Sequence, residues 1–246
     1  MAAPKSKVDL PKMPVKGPQL MPDGSYSGDR EYPEWTMKYF DFFFKGHRGN
    51  SLYPKIERTG YYPKQELYDA LEKNDPSLTV LDVDNRAFND DMMYNLMMAL
   101  KDNTVVTELK LARNISHHTE QGDRFPLALA PILAKSKTIT KVDLHQSDMH
   151  EKCICALAEA LKYNSSVTEL NLEDNFVRQN AAELGEMLKV NKTLTSLNCN
   201  VNQIQDEAAR ALLEGLKVSN VKHFTAYNNG IVDRNLRKEF RGFSSK

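Results

Sequence analysis

A pattern that returns six times between residues 67 and 226 constrains this chain more than any other feature. Six segments place a Leu, a second Leu four residues on, and then a polar turn: LYDALEKN (67–74), LMMALKDN (96–103), LAPILAKS (129–136), LAEALKYN (157–164), LGEMLKVN (184–191) and LLEGLKVS (212–219). Each is followed by a short run of the form apolar-x-x-apolar-x-apolar: LTVLDV (78–83), VTELKL (106–111), ITKVDL (139–144), VTELNL (167–172), LTSLNC (194–199) and VKHFTA (221–226). Their first residues, 78, 106, 139, 167, 194 and 221, are 28, 33, 28, 27 and 27 apart. Leucines at i and i+4 predict one apolar stripe on a helix. Alternation over three residues predicts a short strand whose Leu81 and Val83, or Leu170 and Leu172, point into a core. One such unit cannot bury its apolar face, whereas stacked units bury it against both neighbours. The expected fold is therefore α/β: a short right-handed solenoid of about six repeats, strands parallel on the concave face, helices on the convex face, with helical caps.

Asn stands three residues after the last apolar strand position in four of the six units, as Asn114, Asn175, Asn202 and Asn229. Its amide is expected to tie the turn after each strand to the backbone of the next coil. A helix over 63–73, with Pro63 in its first turn, precedes the first strand. Leu236 and Phe240 in IVDRNLRKEF (231–240) are placed to close the last unit, so the repeat domain is read as 63–246. Eight of the eleven prolines lie in the first 63 residues, where Pro forbids continuous helix or central strand. Residues 1–30 read as an extended Pro/Lys-rich arm carrying Lys5, Lys7, Lys12 and Lys16. Residues 31–62 read as an aromatic-rich helical segment and connector. Trp35, Tyr39, Phe42 and Phe43 share one helix face there, and Met37, Phe40 and Phe44 another. Such a helix suits an amino-terminal cap or a docking element with aromatic anchors.

Lys+Arg and Asp+Glu are equal at 33 each, which argues against a nucleic-acid binder relying on a basic body. No apolar run approaches the ~18 residues of a membrane helix, and the first residues lack the apolar stretch of a signal peptide. Three cysteines, Cys153, Cys155 and Cys199, do not make a disulfide scaffold; they read as inert thiols of a reducing compartment, and a cytoplasmic address follows. Met92, Met93, Met97 and Met98 read as core filling on one helix. The sequons at Asn114, Asn164 and Asn191 carry little meaning without a secretory signal.

No phosphate loop, nucleophile elbow or paired-carboxylate frame is present, so neither catalysis nor a cofactor or small-molecule substrate is expected. The longer second unit carries NISHHTEQGDRFPL (114–127). His117, His118, Glu120 and Asp123 lack metal-ligand spacing and read as a solvated or contact loop, not a metal site. On the strand face, equivalent positions of neighbouring strands touch. One row reads Glu108, Lys141, Glu169 and the next Asp82, Lys110, Asp143. This alternation of charge predicts a face that neutralises itself. The end bearing Asn198, Asn200, His223 and Tyr227 is the better contact.

Repeats of this length with full helices resemble the ribonuclease-inhibitor class of leucine-rich repeats over residues 63–240. The run EMLKVNKTLTSLN (186–198) also resembles the repeat domain of the tropomodulin and leiomodin family. That second resemblance implies an actin-filament-end binder, as an alternative. Residues 1–62 show no amphipathic helix pair of the kind tropomodulin-like proteins carry before their repeats. The leading expectation is accordingly a non-catalytic scaffold subunit, its repeat block fastened by the arm into a larger cytoskeletal or ciliary assembly. Lys5, Lys7, Lys12, Lys16, Trp35, Tyr39, Phe40, Phe44, Asn198, Asn200, His223 and Tyr227 are its expected partner contacts. A third reading, a GTPase-activating leucine-rich-repeat protein, needs an exposed Arg or Asn held against the nucleotide, for which Arg113 and Arg178 at strand-end loops are the candidates.

Overall fold

The computed structural model describes residues 19–20, 26–27, 63–86, 88–114 and 124–244, and the chain divides into two compact units, 1–57 and 58–246. In the first unit, β1 (Gln19–Leu20) and β2 (Tyr26–Ser27) pair antiparallel, with Gln19 opposite Ser27. Lys5, Lys7, Lys12, Lys16, Trp35, Tyr39, Phe40 and Phe44 lie outside the described residues. So do His117, His118, Glu120 and Asp123.

The second unit alternates helix and strand: α1 (Gln65–Glu72), β3 (Val80–Asp82), α2 (Asp90–Leu100), β4 (Glu108–Lys110), α3 (Arg124–Lys135), β5 (Lys141–Asp143), α4 (Glu151–Lys162), β6 (Glu169–Asn171), α5 (Ala181–Val190), β7 (Ser196–Asn198), α6 (Asp206–Val218), β8 (His223–Thr225) and α7 (Arg234–Ser244). The six strands from β3 to β8 make one parallel sheet in sequence order. The register pairs Leu81 with Leu109, Leu109 with Val142, Val142 with Leu170, Leu170 with Leu197 and Leu197 with Phe224. All six of these side chains are buried, as are the Leu pairs of α2 to α6 that cover them. Each fully buried Leu contributes ~1.5–3 kcal/mol, so the stack of equivalent leucines dominates the stability of this unit. At the carboxyl end α7 lays Leu236 and Phe240 on the last coil, the Phe240 ring 5.3 Å from that of Phe224.

Two local expectations differ from the structure. Pro63 lies ahead of the helix it was expected to open. Lys64 is still extended (ψ 149°), and α1 begins only at Gln65. The insertion does not remain a loop through residue 127 either. Helix α3 starts at Arg124, and Phe125 and Pro126 are buried in its first turn. An aromatic side chain gains more by joining the core than by staying in a solvated loop.

Side-chain amides hold the coils in register. Asn175 donates through Nδ2 to Leu144 O at 2.9 Å and accepts at Oδ1 from the N–H groups of Ser147 and Met149, at 3.2 and 2.9 Å. Asn114 does the same with Val83 O and the Arg86 and Phe88 amides, and Asn229 with Cys199 O and the Asn202 and Ile204 amides. Asn202 reaches Leu172 O and the Val177 amide. These side chains therefore bind the preceding coil, not the next one expected from their place in the sequence. The forward link is made by the backbone of the residue just before. Arg113, Asp174 and Val201 sit at φ 56°, 54° and 54°, and their N–H groups donate to His145, Asn200 and Tyr227 carbonyls of the following coil. The left-handed turn aims the N–H forward and leaves the amide pointing back. Val201 adopts it despite β-branching, which is uncommon.

A second ladder runs along the helix ends. Asn103, Asn164 and Asn191 donate to Leu71, Leu133 and Leu161 carbonyls at 2.7, 2.6 and 2.6 Å, each at the end of the preceding helix. Each accepts the next two strand-entry amides at its Oδ1. The sequon residues Asn114, Asn164 and Asn191 are all buried with Nδ2 engaged, so in the folded chain none is open to a glycan. A third ladder links Thr107, Thr140, Thr168 and Thr195, whose hydroxyls each donate at 3.1 Å to the carbonyl of the equivalent Thr one coil back.

Helices α5 and α6 approach closely at Gly185 and Gly215. A Cβ on Gly215 would lie 2.7 Å from Gly185 Cα, and one on Gly185 would lie 2.8 Å from the Ala211 carbonyl carbon. Backbone stands on both sides, so neither position can yield by rotating a side chain. Gly215→Ala is expected to destabilise the chain by ~1–3 kcal/mol in urea titration, whereas Gly242→Ala, with no atom within 4 Å, does not destabilise it. Asn175→Ala strands the Ser147 and Met149 amides and the Leu144 carbonyl. A loss of ~2–4 kcal/mol is expected in the same titration.

Candidate protein-interaction surfaces

The register sets the outward side chains of the sheet in two rows. Glu108, Lys141, Glu169, Ser196 and His223 form one; Asp82, Lys110, Asp143, Asn171, Asn198 and Thr225 form the other. Lys141 Nζ lies 2.9 Å from Glu169, and Lys110 Nζ lies 3.8 Å from Asp82 and 3.7 Å from Glu108. His145 Nδ1 meets Asp143 at 2.8 Å. The hydrogen bond to Glu169 raises the Lys141 pKa. These pairs are partly exposed and solvent-screened, so they add little to stability. Their effect is on recognition, because cations already matched to carboxylates offer little to an incoming anion.

Asn198 and Asn200 are occupied within the fold. Asn198 donates to Glu173 at 2.8 Å and accepts from the Thr225 hydroxyl at 3.0 Å, and Asn200 Oδ1 accepts the Tyr227 amide at 2.7 Å. His223 and Tyr227 are exposed, Tyr227 by 53%. Tyr227 lines an open depression of about 330 Å³ on the last coil, together with Asn229, Ile231, Arg237, Phe240 and Arg241. Of the four sequence-nominated residues at this end, then, two build the last turns and two face outward.

Both arginines nominated for GTPase activation are held against the fold. Arg113 clamps Asp84 with Nε at 3.0 Å and a second, shorter contact, and this hydrogen bonding raises its pKa. Arg178 lies 4.8 Å above the Phe176 ring and donates to Gln203 at 3.1 Å. On its other flank Phe176 stacks on His150, centroids 4.6 Å apart and planes within 4°. Cys199 fills an apolar strand position, where burial pushes its thiol up to about 12, and the Cys155 thiol is raised chiefly by burial. Met92, Met93 and Met97 are buried core residues. Among the described residues no group of His, Cys, Asp and Glu is arranged to hold a metal, and no helix is long and apolar enough to cross a membrane.

One surface escaped the sequence reading. Tyr163, Val190 and Val218 are exposed at the carboxyl ends of α4, α5 and α6, where the repeat was read only as a polar turn. The signal was the residue just before the closing Asn or Ser of each unit.

Over 112 residues the chain is 31% identical to leiomodin-2 of Gallus gallus, a stretch covering 44% of this chain and 19% of that protein. Over 110 residues it is 31% identical to leiomodin-1 of Homo sapiens, covering 44% and 18%. The match thus spans about a fifth of the length of these relatives. No protein-family model matches. A solved structure of leiomodin-1 actin-binding site 2 shares the fold with a TM-score of 0.52 and 24% sequence identity, over 74% of this chain and 89% of that one.

Asp233 secures the end that carries Tyr227. Its Oδ1 accepts the Asn235 and Leu236 amides at 2.9 and 3.2 Å, starting α7, and its Oδ2 meets Arg210 at 2.7 Å. The Leu236 amide first, and Arg210 next, hold its pKa below the usual carboxylate value. A folded-state pKa below the unfolded one stabilises above the unfolded pKa, and that contribution is lost as pH falls through the folded value. The Tm difference between wild type and Asp233→Ala is therefore expected to be full at pH 7 and to shrink in melts run from pH 4 downwards. By register and fold the chain is a leucine-rich-repeat solenoid, and over 112 residues its sequence is similar to that of leiomodin-2.

Proposed function

We propose that this chain is a non-catalytic actin-binding protein of the cytoskeleton that acts through its repeat block. The observation that carries the reading is that a sequence likeness and a fold likeness both lead to leiomodins. A stretch of 112 residues is 31% identical to leiomodin-2, and the fold of the chain matches nearly the whole of a leiomodin-1 domain described as an actin-binding site. Fold alone carries no function across; here sequence similarity accompanies it. The self-neutralised strand face fits a partner that meets rims and ends of the block instead of its centre. The actin-binding alternative thus stands ahead of the general scaffold, and the ciliary assembly has no counterpart among these relatives. Within this reading the arm with Lys5, Lys7, Lys12 and Lys16, and the segment with Trp35, Tyr39, Phe40 and Phe44, supply a second contact that raises effective concentration. His223 and Tyr227 are the contacts we assign to the carboxyl end. The GTPase-activating reading loses support, since Arg113 and Arg178 are both engaged within the fold.

The test is co-sedimentation of the full chain with actin filaments, alongside pointed-end elongation from capped seeds. Saturable pelleting or altered elongation is expected at micromolar chain. No pelleting and unchanged elongation at about 10 μM would sink the reading.

A further inference from the structure

Six large apolar side chains stand exposed among the described residues, and three of them, Tyr163, Val190 and Val218, hold one structural position in three consecutive repeats. Each follows a lysine at the end of its helix and precedes the residue that closes the turn, Asn164, Asn191 or Ser219. In the three earlier repeats the same position carries Lys73, Asp102 and Lys135. These turns abut from coil to coil. Asn191 Nδ2 donates to Leu161 O at 2.6 Å, and Lys192 Nζ donates to Val218 O at 2.9 Å. The three side chains, exposed by 75%, 39% and 55%, therefore form a row along the edge where helices hand over to strands. A single exposed apolar residue needs no explanation; a row repeated in register does.

The charge of this edge is one-sided. Residues 135–140, 163–168, 190–195 and 218–222 contain Lys135, Lys137, Lys192 and Lys222, all exposed, and no Asp or Glu. Lys162, Lys189 and Lys217 beside the row are already paired with Glu159, Glu186 and Glu214. Four lysines without a carboxylate in these turns make a local excess in a chain whose formal charge is zero. Lysines at helix carboxyl ends suit the helix dipole, but Lys192 and Lys222 lie beyond the helices, in the turns. Neighbouring helices pack ~8–10 Å apart, and two turns of a helix advance ~10.5 Å, so apolar side chains seven residues apart match the step of the row.

We propose that this edge docks an acidic amphipathic helix of a partner protein. Apolar side chains at i, i+7 and i+14 meet Tyr163, Val190 and Val218, and flanking carboxylates meet Lys135, Lys137, Lys192 and Lys222. The site does not depend on actin binding.

Fluorescence anisotropy with the full chain and a labelled synthetic helix of about 21 residues, Leu at every seventh position and Glu and Ala between, tests the assignment. Saturable binding is expected, weakened at least ~10-fold by Tyr163→Ser/Val190→Ser/Val218→Ser and by Lys135→Glu/Lys137→Glu/Lys222→Glu, with Tm retained. All substituted side chains are exposed, so the fold is spared. The same peptide with Lys in place of Glu is expected not to bind. Absence of saturable binding overturns the proposal, as does affinity unchanged by both sets of substitutions or equal binding of the Lys peptide.

Discussion

A chain that coils back on itself every 27 to 33 residues brings backbone N–H and C=O groups to two turns per repeat, where they are packed against the neighbouring coils. An unpaired buried peptide group costs ~1–3 kcal/mol, and with six repeats such costs would exceed the stability of an ordinary domain. Here amide side chains, five of the seven buried and Asn103 and Asn229 half-buried, meet the demand. Asn114, Asn175, Asn202 and Asn229 do so after the strands, and Asn103, Asn164 and Asn191 after the helices. Their partners lie one coil away, so the same bonds that satisfy the turns also forbid one coil from slipping past the next. The register of the sheet, and every row of side chains it creates, depends on them.

Register turns a periodic sequence into surfaces. The apolar rows become the core; the charged rows of the strand face become Lys141–Glu169 and Lys110–Asp82 pairs that cancel one another. A face that satisfies itself leaves recognition to places where the repeat is interrupted or varies. Two such places stand out: the last coil, where Tyr227 lies exposed beside Arg237 and Phe240, and the turn edge, where Tyr163, Val190 and Val218 replace charged residues. The rows say which parts of the block have unspent contact capacity.

Much of the fold was legible because its signals are local. Leu157 and Leu161 announce a helix within five residues, and Leu170 and Leu172 a strand within three. Repetition made each weak signal strong. The role of the asparagines was half legible. Their position marked the turn, but the sequence carries no sign of whether an amide points to the coil before or after it. That choice follows from the left-handed φ of Arg113, Asp174 and Val201, which sends the backbone N–H forward and the side chain back. Asn164 and Asn191 were read as sequons because their partners, Leu133 and Leu161, stand about thirty residues away. Asn198 and Asn200 were nominated as contacts for the same reason: their polarity was visible, but their occupation by Glu173, Thr225 and Tyr227 was not.

The sequence by itself determined the number of coils, the order of the strands, the side chains that make the core and the alternation of charge along the sheet. All of these follow from period and polarity, which are properties of short windows of chain. Only the tertiary structure decided the direction of the amide ladder and the backbone contact at Gly185 and Gly215. It alone decided the use of Phe125 in the core and the row of Tyr163, Val190 and Val218 at the edge. Each of these depends on which atoms of one repeat meet which atoms of the next. That relation lies across a full turn of the solenoid, beyond the reach of any local pattern.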